Sequence, residues 1–95
     1  MVYTKINETF DKNKEARNIE KHGFSLLVGV AVFLDEKAVI EESIRKNEIR
    51  TTVIGMTEFG VLFVVFVERI ENELCLISVR KANRKERIKY VKNNL

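Results

Sequence analysis

The sequence predicts a single α+β domain over residues 1–95, with two N-terminal helices, a four-stranded antiparallel sheet and one C-terminal helix. Helix formers and helix-ending signals dominate the chain up to about residue 37. The apolar residues then change from helical to strand-like periodicity, in four runs joined by short polar or glycine-containing links. Such links favour antiparallel hairpins over crossovers. An N-cap signal near residue 83 begins the last helix.

The two N-terminal helices are predicted from the residues at their ends. Asp11 is a good N-cap for a first helix over Lys12–His22, and Gly23 is well placed to end it. Ser25 can cap a second helix, Leu26–Leu34, which is apolar nearly all round. A helix of that kind is expected to be buried. Residues 1–10 are compatible with a short strand or an arm.

The four predicted strands span residues 39–44, 50–56, 61–69 and 74–80. Residues 57–60 form the clearest turn between them, and Glu71-Asn72 forms the next. Residues 61–67 are apolar without alternation, which is typical of an inner strand with both sheet faces covered. The N-terminal helices can cover one face, and the C-terminal helix or a second protein must cover the other.

The C-terminal helix is strongly basic. Seven cationic side chains and one acid, Glu86, lie between residues 80 and 92, and residues 48–95 carry the whole net charge of +3. Asn83 and Glu86 have the spacing of a capping box. Ile88, Val91 and Leu95 form a narrow apolar stripe that can dock on a sheet. A strand that leads into a helix with a positive exposed face predicts a site for a polyanion.

Composition excludes several classes of protein. A single cysteine, Cys75, excludes an internal disulfide and fits a reducing compartment. No Cys/His cluster offers a metal site, so we expect neither a metal nor another cofactor. The N-terminus lacks the apolar segment of a signal peptide, and the longest apolar runs are far short of a membrane span. These features predict a cytoplasmic protein without a membrane partner.

Several motifs occur in an order and spacing that resemble the BrnT family, the toxins of type II toxin–antitoxin pairs. They are Asp11-x-x-Lys14-x-x-x-Asn18-x-x-Lys21-His22-Gly23, Phe33-Leu34-Asp35, Arg50-x-x-x-Ile54-Gly55, Glu68-Arg69, and Ile77-Ser78-x-Arg80-Lys81-Ala82-x-x-x-Glu86-Arg87-x-x-Tyr90. The resemblance covers roughly residues 8–90. It implies a compact fold like that of RelE-type ribonucleases and cleavage of RNA.

The same resemblance implies the partners. The toxin would be neutralised by a small antitoxin with a DNA-binding ribbon-helix-helix domain, in a hetero-oligomer that reaches operator DNA only through the antitoxin. Three positions depart from the family pattern: Phe10 replaces a Trp, Ile49 replaces a Glu, and Cys75 stands where an arginine is usual. The lost cation at Cys75 bears on catalytic strength more than on the fold.

The candidate catalytic residues follow from the chemistry of RNA cleavage without a metal. A base must take the 2′-hydroxyl proton, cations must stabilise the charge on the phosphorane, and an acid must protonate the leaving 5′-oxygen. His22 is the only histidine and titrates near neutrality, although a histidine at a helix C-terminus can equally serve the helix dipole. Arg50 opens one strand and Arg80 closes another, where guanidinium groups can bind one phosphate. Surface ion pairs are the alternative for both arginines.

Further cations are candidates for substrate binding. Lys14 and Lys21 lie on one face of the first helix with Asn18 between them, a pattern that a solvated helix face explains just as well. Arg69, Lys81 and Arg84 complete the set of candidate RNA contacts, which is Lys14, Lys21, Arg69, Lys81 and Arg84. Glu68 and Arg69 must point to opposite faces of a strand, and the sequence does not decide which of them faces the site.

Strict alternation along the last strand makes two further predictions. It places Arg80 on the face of Leu76 and Ser78, and Cys75 on the face of Ile77 and Val79, where it would be a buried thiol. Tyr90 could stack on a base, but packing is the commoner use of a tyrosine on such a helix.

Three functions compete. The leading hypothesis is a metal-independent endoribonuclease toxin that inhibits translation and growth unless its antitoxin binds. The second is an RNA-binding or repressor-complex module that has lost turnover, which the cysteine at position 75 favours. The third is a structural partner that assembles through an apolar sheet face.

Overall fold

The fold is known from a computed structural model, which describes residues 5–7, 12–69 and 73–95. The predicted cap at Asp11, the aromatic replacement at Phe10 and the predicted turn at Glu71-Asn72 lie outside these residues. The first helix, α1, runs over Lys12–His22 as predicted. Gly23 follows with a φ of 79° and donates its N–H to the carbonyl of Ile19 at 2.8 Å, so it ends the helix in the left-handed conformation that glycine favours.

The segment Leu26–Leu34 is a 3₁₀ helix, and only one of its sides is buried. Ser25 caps it, because its Oγ accepts the N–H of Leu27. The buried residues are Leu26, Gly29 and Val32, and the spacing of three matches a helix of about three residues per turn. The expectation of burial all round is therefore wrong: Leu34 is 87% exposed.

The sheet has five strands, in the order β1-β5-β4-β3-β2. Their bounds are β1 Lys5–Asn7, β2 Val39–Arg45, β3 Glu48–Thr57, β4 Gly60–Arg69 and β5 Glu73–Lys81. β2 to β5 form the predicted antiparallel sheet. The short β1 adds a parallel strand along the start of β5. A short strand within residues 1–10 was one of the two possibilities, but the predicted four-stranded sheet did not include it. Three residues are too few to carry a periodic signal.

β4 is an inner strand, as its unalternating apolar run predicts. Its two neighbours are β3 and β5, and Leu62, Val64 and Phe66 are fully buried on the face that α1 and the 3₁₀ helix cover. We call this the first face of the sheet. On the opposite, second face, Val61 and Phe63 pack with Tyr90 of the C-terminal helix α2, Arg84–Asn93.

The helix α2 begins at the predicted capping box. The Asn83 side chain accepts the N–H of Glu86 at 2.9 Å, and the Glu86 carboxylate accepts the N–H of Asn83 at 2.8 Å. The described helices include none with the length and apolar character that crossing a membrane requires.

A β-bulge at Ile77 reverses the alternation along β5. Val65 pairs with Ser78 and Phe66 pairs with Leu76, so Ile77 has no opposite residue on β4. Leu76 and Val79 therefore both enter the core of the first face, although they are three positions apart.

The bulge overturns the prediction for Cys75 and half of the prediction for Arg80, which shares a face with Ser78 as predicted but not with Leu76. Arg80 pairs with Phe63 and Cys75 pairs with Val67, which places them with Ser78 on the second face. Arg80 and Leu76 thus lie on opposite faces of the sheet, and so do Cys75 and Val79. Cys75 is half-buried rather than fully buried.

Candidate functional site

A cavity of about 310 Å³ lies between α1 and β5, and basic side chains surround it. The residues that line it are Lys14, Arg17, Asn18, Lys21, His22, Ile77 and Ser78. Four of the seven are Lys, Arg or His, and none is acidic. An opening of this charge attracts anions, and its size suits a phosphate with part of its sugar.

Helix geometry brings the basic residues to one side. Lys14, Arg17 and Lys21 recur at spacings of three and four, which is the period of one helix face. The sequence prediction included Lys14 and Lys21 but passed over Arg17. The same spacing rule, applied from Lys14, would have found it.

Asn18 forms the floor of the cavity and joins α1 to the sheet. Its side-chain NH₂ donates to the carbonyl of Val79 at 2.9 Å and to that of Phe24 at 2.8 Å. Its oxygen accepts the N–H of Val79 at 3.0 Å. β1 pairs with β5 only as far as Cys75, so the amide of Asn18 meets backbone groups that a neighbouring strand would otherwise bind. Only the outer part of this helix face is solvated, because Asn18 itself is buried.

The two N-terminal helical segments are also joined to each other. Glu15 accepts the Ser25 hydroxyl at 2.8 Å and the N–H of Leu26 at 2.7 Å. Gly29 lets the 3₁₀ helix approach the sheet closely, because a Cβ at this position would lie 2.7 Å from a methyl group of Val79. The wall of the cavity is thus built on a rigid pair of elements.

His22 is half-buried at the end of α1. Burial lowers the pKa of its imidazole, and the positive charges of Lys21 and Arg80 lower the pKa further. A helix C-terminus favours the protonated form, whereas burial and both neighbouring cations act against it. The imidazole is therefore neutral near pH 7 and available to accept a proton.

Arg80 lies on the second face beside the start of α2, and its guanidinium is held on several sides. It stacks on Phe63, with 4.3 Å between Cζ and the ring centroid. Nη1 and Nη2 each donate to one carboxylate oxygen of Glu86, both at 2.8 Å. The hydrogen bonds to Glu86 raise the pKa of Arg80 despite its partial burial. Burial acts to raise the pKa of Glu86, but hydrogen bonds from Arg80 and from the Asn83 backbone lower it overall.

Arg50 does not line the cavity. It lies on β3, with β4 between it and β5, so its backbone is about 10 Å from that of β5. The nearest described acid is Glu48, whose carboxylate oxygen is 4.0 Å from Nη2. The Nε of Arg50 is buried without a hydrogen-bond partner among the described residues.

Two of the remaining candidates, Lys81 and Arg84, also lie outside the cavity. Lys81 ends β5 and is exposed, and Arg84 is exposed in the first turn of α2. Arg69 is the last residue of β4. The cavity therefore unites His22, Lys14 and Lys21, whereas the other predicted contacts are spread over the sheet and α2. The catalytic and binding roles of all these residues stay predictions.

The described residues include no group of three His, Cys, Asp or Glu side chains arranged to hold a metal ion. The groups around the cavity are one imidazole, two ammonium groups and one guanidinium, with the Arg80 guanidinium near enough to influence His22. This set can bind a phosphate, stabilise added negative charge on it and remove a proton from a neighbouring hydroxyl.

Comparisons with known proteins are consistent with this chemistry. A family model described as "Ribonuclease toxin, BrnT, of type II toxin-antitoxin system" matches residues 10–86. Among solved structures, the chain is similar to the 1.1 Å crystal structure of the Brucella abortus ribonuclease toxin BrnT, with a TM-score of 0.61 and 25% sequence identity. That match covers 84% of this chain and 97% of the Brucella chain. No curated protein matches the sequence closely enough to be counted as a relative.

Proposed function

Because the chain belongs to the BrnT family of type II toxin–antitoxin ribonuclease toxins, we propose that it is an endoribonuclease that cleaves RNA without a metal ion at the cavity between α1 and β5. The observation that carries this proposal is the position of His22. The chain's only histidine lies among three cationic side chains, Lys14, Arg17 and Lys21, around one opening.

The proposed reaction uses His22 as the base. Its neutral imidazole removes the proton of a ribose 2′-hydroxyl, and the oxygen then attacks the adjacent phosphorus. Lys21 and Arg17 bind the phosphate and stabilise the extra charge of the phosphorane, as preorganised cations do. The P–O5′ bond breaks and the leaving 5′-oxygen takes a proton from water, which leaves a 2′,3′-cyclic phosphate on one fragment and a 5′-hydroxyl on the other.

The remaining basic residues are proposed to bind the RNA on either side of the cut. We propose that Arg80, whose charge influences His22, acts at the scissile phosphate or the next one. Arg50, Lys81 and Arg84 extend the positive surface beyond the cavity, and the distance of Arg50 from β5 favours contact with a neighbouring phosphate. Arg69, the last residue of β4, is proposed as a further contact with the RNA.

Family membership implies an antitoxin partner. We further propose that the fold is of the RelE type, that the antitoxin has a ribbon-helix-helix domain, and that operator DNA is reached only through a hetero-oligomer with it. RNA cleavage in the cytoplasm would then inhibit translation and growth until the antitoxin binds. The resemblance of the sequence motifs supports each of these points.

A second function is favoured by one observation. Cys75 replaces an arginine that the family usually carries, and it lies on the same face as Arg80. Loss of that cation is compatible with an RNA-binding or repressor-complex module that no longer cleaves RNA. Both functions predict RNA binding, so cleavage separates them.

The test is single-turnover cleavage of an RNA oligonucleotide in EDTA. Wild type is expected to cut and to leave 2′,3′-cyclic phosphate ends, and His22→Ala is expected to be slower by roughly 10²–10⁴-fold, the usual contribution of a positioned base. Lys92→Ala is the matched control, because it removes an exposed charge outside the cavity. Binding of RNA without cleavage by wild type would reject the ribonuclease and support the binding module.

Plasmid induction tests the same proposal in cells. Growth arrest on induction, reversed by the adjacent reading frame, is the expected result. Undiminished growth with soluble protein present would contradict it.

A further inference from the structure

The Arg80 guanidinium has donors in two pairs, and the structure accounts for one pair. An arginine carries five N–H groups in one rigid plane. Two edges of this plane each present a pair of N–H groups that can donate to two oxygens at once. The end pair, one N–H from Nη1 and one from Nη2, is bound to the two oxygens of Glu86. The other Nη1–H donates to the carbonyl of Lys81 at 3.1 Å.

The side pair consists of Nε–H and the second Nη2–H. Neither has a hydrogen-bond partner among the described residues. The ring of Phe63 stacks against one side of the guanidinium plane. The Arg80 side chain retains 29% of its exposure, and the side pair is the pair of donors that no described residue binds.

Glu86 is itself held in place. Its carboxylate accepts the N–H of Asn83, its own N–H donates to the Asn83 side chain, and its side chain is only 15% exposed. The helix α2 therefore fixes the carboxylate, and the carboxylate fixes the guanidinium. An arginine held at the end pair cannot rotate without breaking two charge-assisted hydrogen bonds.

We propose that Glu86 is a positioning residue, which holds Arg80 so that its Nε–H and Nη2–H grip one phosphate of a bound RNA strand. The proposal rests on the proposed function, since it concerns a phosphate near the same cavity. The carboxylate and the phosphate would occupy different edges of the guanidinium, so both can be bound at once. A flexible arginine would have to lose its side-chain freedom on binding, and Glu86 removes most of that cost beforehand.

Two other roles for Glu86 make different predictions. As a competitor, it would occupy Arg80 and weaken RNA binding, so its removal would tighten binding. As a helix cap alone, it would affect stability, and its effect on RNA would not depend on Arg80.

The experiment measures binding of a fluorescent 2′-O-methyl RNA oligonucleotide by anisotropy, because this RNA lacks the attacking hydroxyl and cannot be cut by the proposed reaction. The variants are Glu86→Gln, Arg80→Ala and the double variant. Glu86→Gln keeps one acceptor oxygen for the helix cap but loses the charge and half of the fork. It is expected to weaken binding about tenfold or more, as misplacement of a binding group does.

The double variant decides how Glu86 acts. If Glu86 works through Arg80, Glu86→Gln has no further effect on binding once Arg80 is alanine. The control is Asn83→Ala, which removes the side-chain half of the capping box and leaves the contact between Arg80 and Glu86; it is expected to stay within about twofold of wild type.

Each outcome has a clear consequence. Unchanged binding in Glu86→Gln, tighter binding, or an equal loss in the presence and absence of Arg80 would overturn the positioning role. Wild type that binds the modified RNA but never cuts ordinary RNA would reject the proposed function and leave this inference intact. Absence of binding by wild type would overturn both.

Discussion

Asn18 and Val79 lie 61 positions apart and exchange two hydrogen bonds, one from the Asn18 side chain to the Val79 carbonyl and one from the Val79 N–H to the Asn18 side chain. A single amide thus satisfies both backbone groups of a residue at the open edge of β5. The contact fixes α1, and with it the basic wall of the cavity, against the sheet.

Asn18→Ala is expected to lower the free energy of unfolding by about 2–3 kcal/mol, because it leaves buried backbone groups of Val79 and Phe24 without partners. Urea denaturation measures the loss. Asn93→Ala, at an exposed position on α2, is the control and is expected to change stability little. A denaturation midpoint for Asn18→Ala equal to that of the control would show that water replaces the amide.

Val64→Asp is expected to lower the free energy of unfolding by several kcal/mol, near the top of the range for point mutations. The reason is that Val64 is fully buried and the new charge has no partner. The control, Ile44→Asp, introduces the same charge on a strand at a position that is 80% exposed. Urea titration of both proteins is the test. Similar midpoints would mean that β4 is not the centre of the core.

Arg80→Ala is expected to slow RNA cleavage by roughly 10²–10³-fold, the range for loss of one preorganised charge donor. Arg80→Lys should restore only part of the rate, because an ammonium group cannot replace a planar fork. Lys92→Ala is the charge-matched control on α2. Single-turnover kinetics measure all three, and a rate for Arg80→Ala equal to that of Lys92→Ala would remove Arg80 from the site.

The contact with Glu86 adds a stability cost to the same variant. Arg80→Ala leaves the half-buried Glu86 carboxylate without its main partner, so we expect a loss of about 1–2 kcal/mol. Circular dichroism during denaturation separates this effect from the loss of cleavage. The variant is expected to remain folded, because the free energy of unfolding of most domains of this size is larger than this loss.

The pKa of His22 is expected to lie below its ordinary value of 6.5, which NMR titration of the imidazole can measure. Burial is the main cause, and Lys21→Ala should raise the pKa by removing a neighbouring positive charge. If His22 is the base, kcat/KM rises with pH and reaches half of its maximum below pH 6.5. An imidazole pKa above 6.5 in wild type, or no change in Lys21→Ala, would contradict this account.

The same shift predicts the direction of a pH effect on folding. The folded state binds the His22 proton less tightly than the unfolded state, so stability rises as pH increases from the folded pKa towards 6.5. Below the folded pKa the imidazole is protonated in both states, and the loss of folding stability from this group is then complete. His22→Gln should abolish this part of the pH dependence.

Tyr90→Phe is expected to destabilise the protein by about 1 kcal/mol at neutral pH, because the Tyr90 hydroxyl donates to Asp35 at 2.6 Å. This bond, with partial burial, raises the pKa of Tyr90 to about 12. Burial acts to raise the pKa of Asp35, but hydrogen bonds from Tyr90 and the Met56 amide lower it overall. The stability from this carboxylate is present above its unfolded pKa of 3.8 and is lost as pH falls through the folded pKa.

Denaturation of Tyr90→Phe at several pH values checks the assignment. The difference from wild type should shrink once Asp35 is protonated, and RNA binding should be unchanged because Tyr90 lies outside the cavity. Glu58→Gln, which removes an exposed carboxylate nearby, is the control. Weaker RNA binding by Tyr90→Phe would instead favour stacking of Tyr90 on a base.

The elements that the sequence predicted well are those whose signals are local. The glycine that ends α1 at Gly23, the capping box of Asn83 and Glu86, and the inner strand around Val64 each follow from neighbours within a few positions. The 3₁₀ geometry of Leu26–Leu34 was not predicted, because an apolar run does not distinguish a helix with three residues per turn from an α-helix.

By itself, the sequence determined the order of the helices and antiparallel strands, the basic C-terminal region and the family motifs, because propensity, capping and periodicity act over a few residues. Tertiary structure alone decided which side chains meet. The bulge at Ile77 assigned Arg80 and Cys75 to the second face, and the packing of α1 on β5 placed Asn18 against Val79 and brought the basic face of α1 to one cavity with Ile77 and Ser78. Such contacts depend on strand register and on partners distant in the chain, and no local pattern of residues encodes either.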